Sequence, residues 1–178
     1  MDEDRLVFGE YLALLEYKLS RRDDLDQRIA QLALTPALAP AVARLPCVRG
    51  IDVHRAMVLA LVLATALVDW RRFTSPRQLM SYFGLVPREH SSGHRERRGA
   101  ITKAGNSQVR PVLVQAAWSD RHVPEVGVGL QARQQGQSPR VIAHTWKAQH
   151  RLYHLYHRLH AKRPPQIAAV ARELVGFP

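Results

Sequence analysis

Apolar residues recur along the first thirty or so positions at helical intervals. Phe8, Leu12, Leu15 and Leu19, followed by Leu25, Ile29 and Leu32, follow 4-3-4 and 4-3 spacings. They predict one long helix over residues 3–33, with the charged segment Arg21–Asp24 interrupting its stripe. Such a stripe belongs either to a coiled-coil arm or to a helix packed on its own domain, and its length favours the arm. Thr35-Pro36 and Ala39-Pro40 break the pattern.

A Gly-containing turn, Leu45–Asp52, then leads into an apolar helix predicted over Val53–Trp70, with Asp52 as its N-cap. Helix, glycine turn, helix is how helix-hairpin-helix modules offer backbone N–H groups to phosphate, although a plain helical hairpin explains the pattern equally well. Thr74 or Ser75 is expected to cap a helix from Pro76 to about Phe83, and Ser107–Ser119 again reads helical with Val109 and Leu113 inward. His122–Pro139, rich in Gly, Gln and Pro, reads as a linker or flexible loop. Arg140–Lys162 is a second long helix with Ile142, Trp146, Leu152, Leu155, Tyr156 and Leu159 on its apolar side. A last short helix follows over Gln166–Val175, with no repeat and no clear β pattern anywhere.

The fold class predicted is therefore mainly α. It is a long N-terminal coiled-coil helix over residues 1–40 and a compact helical domain over 41–178, with a helix-hairpin-helix-like turn and a long basic loop. That loop is Gly84–Asn106, the one long stretch without helical period, and loops of this length are usually functional or disordered.

Charge sharpens the picture. The chain of 178 residues has a formal net charge of +11, unevenly placed. Residues 1–26 are net −4, whereas no Asp or Glu occurs from Val126 to Arg172 among eight Lys/Arg. A solvated face normally mixes both signs, so this asymmetry points to a polyanionic partner, nucleic acid before an anionic membrane surface. The apolar run Ala56–Val68 is too short for a bilayer. The acidic N-terminus is unlike a secretory signal, and the single cysteine, Cys47, suits a reducing compartment. A cytoplasmic bacterial protein without membrane attachment is expected. His150, His154 and His157 stand at i+4 and i+3 spacings that suit a metal. They lack a carboxylate and are crowded by cations, so a nucleic-acid-facing surface is the better reading.

The loop carries the candidate chemistry. Ser91-Ser92-Gly93 is surrounded by Arg88, His94, Arg95, Arg97, Arg98 and Lys103. A serine hydroxyl needs a base, a metal or positive charge to attack a phosphodiester, and cations there could hold phosphate and stabilise the transition state. Asn106 is placed either to touch phosphate or to cap the next helix. Arg110, Lys147 and Arg151 complete the expected nucleic-acid-binding set.

Gly50-Ile51-Asp52, Arg72-Phe73, Gln78-Leu79-Met80, Gly84–Pro87, Ser91-Ser92-Gly93, Arg98–Asn106, Ala116-Ala117-Trp118 and Ala171–Leu174 occur in order. Together they resemble the C-terminal transposase domain of the insertion-sequence transposases related to Piv DNA invertases, from about Arg44 to Phe177. The resemblance implies a serine nucleophile at Ser92, with Ser91 as the alternative register. It also implies an N-terminal RuvC-like domain with an acidic metal-binding tetrad, and site selection by a guide (bridge) RNA. Two local departures stand out. Arg49-Gly50-Ile51-Asp52 replaces a frequent Pro-Gly-Ile-Gly, and His54 stands where threonine is common.

With no clustered tetrad among its 15 acids, this chain is expected to bind no cofactor itself, Mg²⁺ being expected in the RuvC-like half. The expectation is a truncated or split transposase product, inactive in strand exchange unless that half is supplied in trans, and self-associating through residues 3–33. A non-catalytic nucleic-acid-binding remnant is the rival, and a structural dimerisation protein the third class.

Overall fold

The computed structural model describes residues 2–66, 73–89, 98–161 and 167–176. Ser91, Ser92, His94, Arg95 and Arg97 lie outside them, as does the end of the helix predicted to reach Trp70. The fold is mainly α, as the periodicity predicts.

α1 runs unbroken over Asp2–Ala33, through the charged Arg21–Asp24 segment. Most of it is exposed: Phe8 at 67%, Leu15 at 53% and Leu25 at 44%. Among the described residues it is the C-terminal end that meets the body, where Ile29 and Ala33 pack on the core and Asp26 Oδ1 lies 2.8 Å from His54 Nε2. Within a single chain, α1 is therefore an arm.

α2 (Ala39–Arg44) passes into a 3-10 turn, Leu45–Cys47, and the Gly50 turn then opens α3 (Val53–Ala66). Asp52 caps α3 as predicted, its Oδ1 accepting from the Arg55 backbone N–H at 2.8 Å. α4 spans Pro76–Tyr82 with proline in its first turn. Ser75 holds the extended N-cap conformation but makes no capping bond with its side chain. Instead Gln78 Oε1 reaches back to accept from Thr74 N at 2.9 Å.

Two expectations need correction. The central loop contains β structure: β1 (Pro87–Glu89) pairs antiparallel with β2 (Arg98–Ile101), Pro87 opposite Ile101 and Glu89 opposite Arg98, with an irregularity between. Strands this short show no alternation of apolar and polar residues, so periodicity misses them. The supposed linker 122–139 contains α6, Val128–Gln134. It docks by three links: Arg133 Nε donates to Pro46 O at 3.0 Å, Gln134 Nε2 donates to Cys47 O at 3.4 Å, and the Cys47 thiol donates to Arg133 O at 3.6 Å. These are tertiary bonds between positions some 86 residues apart, outside any local signal.

α5 (Val109–Ala117) continues as a 3-10 turn, Trp118–Arg121. α7 (Pro139–His160) and α8 (Ile167–Leu174) close the body, α8 packing on both α5 and α7. Val109, Leu113, Leu152, Val170 and Ala171 meet α3 residues Ala56, Met57 and Ala60 in one core. The buried face of α7 is Thr145, Ala148, Gln149, Leu152 and Tyr156, with Leu155 and Leu159 packed beside it, so the predicted apolar side faces the core except at Trp146. Trp146 is 41% exposed, its ring edge-on to His150 at 4.6 Å.

Candidate nucleic-acid interface

The base of the β1–β2 hairpin is a close crossing of two backbone segments. Gly84 (φ +65°) lies so near Ala104 that an added Cβ would collide with the Ala104 carbonyl oxygen and amide nitrogen. Gly105 (φ +80°) is placed the same way against the Tyr82 carbonyl. Only glycine combines a positive φ with such an approach. Hydrogen bonds lock the crossing: Thr102 N donates to Val86 O at 2.9 Å, and Lys103 N to Gly84 O at 3.1 Å. Lys103 itself holds φ +56°, rare for a residue with a side chain.

Arg110 staples this neck from α5. Its Nη1 donates to Phe83 O at 3.1 Å and to Ala104 O at 3.2 Å, one carbonyl on each segment. The predicted nucleic-acid contact thus has a structural task first. Asn106 resolves likewise. Its Oδ1 accepts from Gln108 N at 2.8 Å and Val109 N at 3.2 Å, so it caps α5. Arg88 Nη2 reaches Thr102 O at 3.4 Å across the hairpin, and both Arg88 and Lys103 are exposed. Arg98 enters through its backbone in β2. The neck therefore gathers Arg88, Lys103, Asn106 and Arg110 at the root of the segment that carries the serine pair. Lys147 and Arg151 stand on α7, where Lys147 is exposed and Arg151 Nη2 pairs with Glu173 Oε2 at 3.1 Å.

A second polar locality was not foreseen. Gly50 (φ +79°) packs inward, where an added Cβ would collide with Ala116 O and lie 2.6 Å from Ser119 Oγ. The glycine of the turn thus serves packing against the C-terminal end of α5. Beside it, Arg49, Trp118, Ser119, Arg121 and His122 line an open cleft. Arg49 Nη1 donates to His122 O at 3.1 Å and Val123 O at 2.8 Å. Arg121 Nε donates to His122 Nε2 at 2.9 Å. A guanidinium has no lone pair to give, so this ring keeps its proton on Nδ1. His157 Nε2 donates to Arg121 O at 3.1 Å, tying α7 to the same turn.

Asp120, between these residues, is 2% exposed, and its Oδ2 has no hydrogen-bond partner. Burial pushes its carboxyl up to about 7, against the opposing pull of Arg49. Gly50-Ile51-Asp52 and Ala116-Ala117-Trp118 each marked one side of this locality, but nothing in the sequence joined them, because the two turns lie some 70 residues apart. Among the described residues no group of three or more His, Cys, Asp or Glu is arranged to hold a metal ion, and no helix is long and apolar enough to cross a membrane.

Residues 53–127 match the model of the Transposase IS116/IS110/IS902 family. A putative transposase, y4qE, of Sinorhizobium fredii is 41% identical over 164 residues, covering 90% of this chain and 41% of that protein. The transposase for insertion sequence element IS1111A of Coxiella burnetii is 41% identical over 58 residues, 33% of this chain and 16% of that protein. A probable family 20 transposase of Pseudomonas aeruginosa is 37% identical over 76 residues, 43% of this chain and 21% of that protein. These matches support an insertion-sequence transposase family. The chain spans less than half the length of these curated relatives. The matched segment 53–127 contains the serine pair, both neck glycines, Arg110 and the Trp118–His122 turn.

Proposed function

We propose that this chain acts in insertion-sequence transposition as the domain that binds DNA and presents Ser92 to a phosphodiester. The observation that carries the reading is the neck. Two positive-φ glycines at a backbone crossing and an arginine bonded to a carbonyl on each side hold the two ends of the serine-bearing segment at a defined spot. A functional group is effective when rigid elements support it, and conformations this restrictive persist only where the surroundings over-determine them. The similarity to transposases over the same residues supports the assignment to DNA.

In the step proposed, Ser92 Oγ attacks phosphorus and an O–P bond forms while the bond to the departing sugar oxygen breaks. The proton lost by Oγ balances the one that oxygen gains. Arg88 and Lys103, with His94, Arg95, Arg97 and Arg98 of the same segment, would neutralise charge on the phosphate. Activation of the hydroxyl is assigned to a RuvC-like half, in cis or in trans, whose acidic residues would hold Mg²⁺. A structured guide RNA would share the basic surface of α7, where Lys147 and Arg151 lie, and protomers would pair through residues 3–33.

Covalent capture tests the nucleophile. Labelled element-end DNA, Mg²⁺ and a RuvC-like half are incubated with the wild-type chain, Ser92→Ala or Ser91→Ala and run on a denaturing gel. An adduct lost only in Ser92→Ala is expected. Loss only in Ser91→Ala moves the nucleophile by one residue. Tight DNA binding without an adduct, while an intact relative forms one in parallel, means a non-catalytic binding remnant.

A further inference from the structure

The cleft beside the Gly50 turn is separate from the hairpin neck and has its own chemistry. Trp118 stands at its edge with 40% of its surface exposed, although it directly follows the buried Ala116 and Ala117 of α5. A large aromatic left open to water, within a cleft also lined by two arginines, a serine hydroxyl and a histidine, suits a ligand with one flat face and one anionic group. Three observations indicate that the cleft is held in shape. Gly50 has no side chain where a Cβ would displace Ser119 Oγ. Arg49 ties the Gly50 turn to the backbone at His122 and Val123. His157 holds the Arg121 carbonyl from α7.

We propose that this cleft is a subsite for one unpaired nucleotide, its phosphate taken by Arg121 and Ser119 and its base laid against Trp118. The inference rests on the reading that the chain binds nucleic acid, and adds a class of substrate, single-stranded or unstacked, that the neck does not specify. A base within a duplex already has stacked neighbours on both faces, so only an unpaired one is available to a protein aromatic. Arg49 spends Nη1 on two carbonyls, yet a guanidinium carries five N–H donors, so it adds charge as well as shape. The one acid of the turn, Asp120, is buried and does not line the cleft, and burial draws its carboxyl towards the neutral form, so it offsets less of the arginines' charge.

Fluorescence anisotropy with the full chain tests the proposal. The probes are labelled single-stranded DNA and single-stranded RNA of about 12 nucleotides, and a duplex DNA of the same sequence. Trp118→Ala and Arg121→Gln are each expected to weaken single-strand binding by about tenfold while leaving duplex binding unchanged, and Trp118→Phe to retain most of it. Arg121→Gln should also lower the salt dependence of single-strand binding by about one counterion. The strand type that suffers the loss, DNA or RNA, identifies the source of the nucleotide.

Equal weakening on duplex and single strand, or no change on either, overturns the subsite while leaving the nucleic-acid reading intact. A wild-type chain that binds none of the three probes at low salt overturns both. Circular dichroism checks the fold of each variant. Should Trp118→Ala fail to fold, Arg121→Gln, altered at an exposed side chain, decides the matter alone.

Discussion

Leu12 in α1 and Leu152 in α7 are the same residue on the apolar stripe of a long helix, yet one is 44% exposed and the other 1%. The arm and the body differ in what holds each residue in place. In α1, backbone hydrogen bonds maintain the helix and its stripe lies open until Ile29, so most side chains there depend on no tertiary neighbour. In the body, Leu152 shares a core with α3, α5 and α8, and the hairpin neck is fixed by sterics, backbone bonds and a side-chain staple at once. A helical period therefore establishes that a helix has an apolar face, and leaves open whether its own chain covers that face.

The strongest way to break this contrast is at the neck. Gly105→Ala puts a Cβ onto the Tyr82 carbonyl at φ +80°, and should lower stability by about 3 kcal/mol or more in urea unfolding. A loss under about 1 kcal/mol would mean that the crossing is pliable.

Asp120 offers a pH test of the body. Its folded pKa of about 7 lies above its ordinary 3.8, so the folded state holds a proton that the unfolded state has released. The associated stability is full below about pH 4 and falls as pH rises towards 7, by up to about 1.4 kcal/mol per pH unit, then levels off. Urea midpoints measured across that window should show this decline in wild type and lose it in Asp120→Asn. An unchanged slope in the variant would assign the decline to other groups.

Arg110→Met removes the staple while keeping much of the side chain's bulk. With two carbonyls losing their donor, about 1–3 kcal/mol should be lost, smaller than the glycine effect because water can reach the Ala104 carbonyl on the exposed side of the neck. Smallest of all for stability is the arm. The pair Leu12→Glu and Leu19→Glu should leave the unfolding midpoint of the body within about 0.5 kcal/mol of wild type. In sedimentation equilibrium the same pair should reduce self-association. A drop in stability without a change in mass would instead place the arm against its own body.

Much of the fold was legible in the chain because helices announce themselves locally. The 3.6-residue period, Asp52 before Val53, Pro76 in the first turn of α4 and the proline breaks after α1 all act within a few residues. The serine pair amid arginines and glycines was legible for the same reason, as a composition suited to phosphate. Ser91, Ser92, His94, Arg95 and Arg97 fall outside the described residues, so their candidacy still stands on sequence.

What the sequence by itself determined is thus the helical class, the uneven charge and the presence of one long basic stretch without helical period. Only the tertiary structure decided that Arg110 staples a neck, that Asn106 caps α5, and that Gly50 is small because α5 lies against it. It alone turned Trp146 outward, built α6 onto the Pro46–Cys47 turn and brought Arg49 to Trp118. The physical reason is range. Periodicity and capping are settled by neighbours along the chain, whereas close approach, burial and the partner of a guanidinium depend on segments that meet only after the chain has folded.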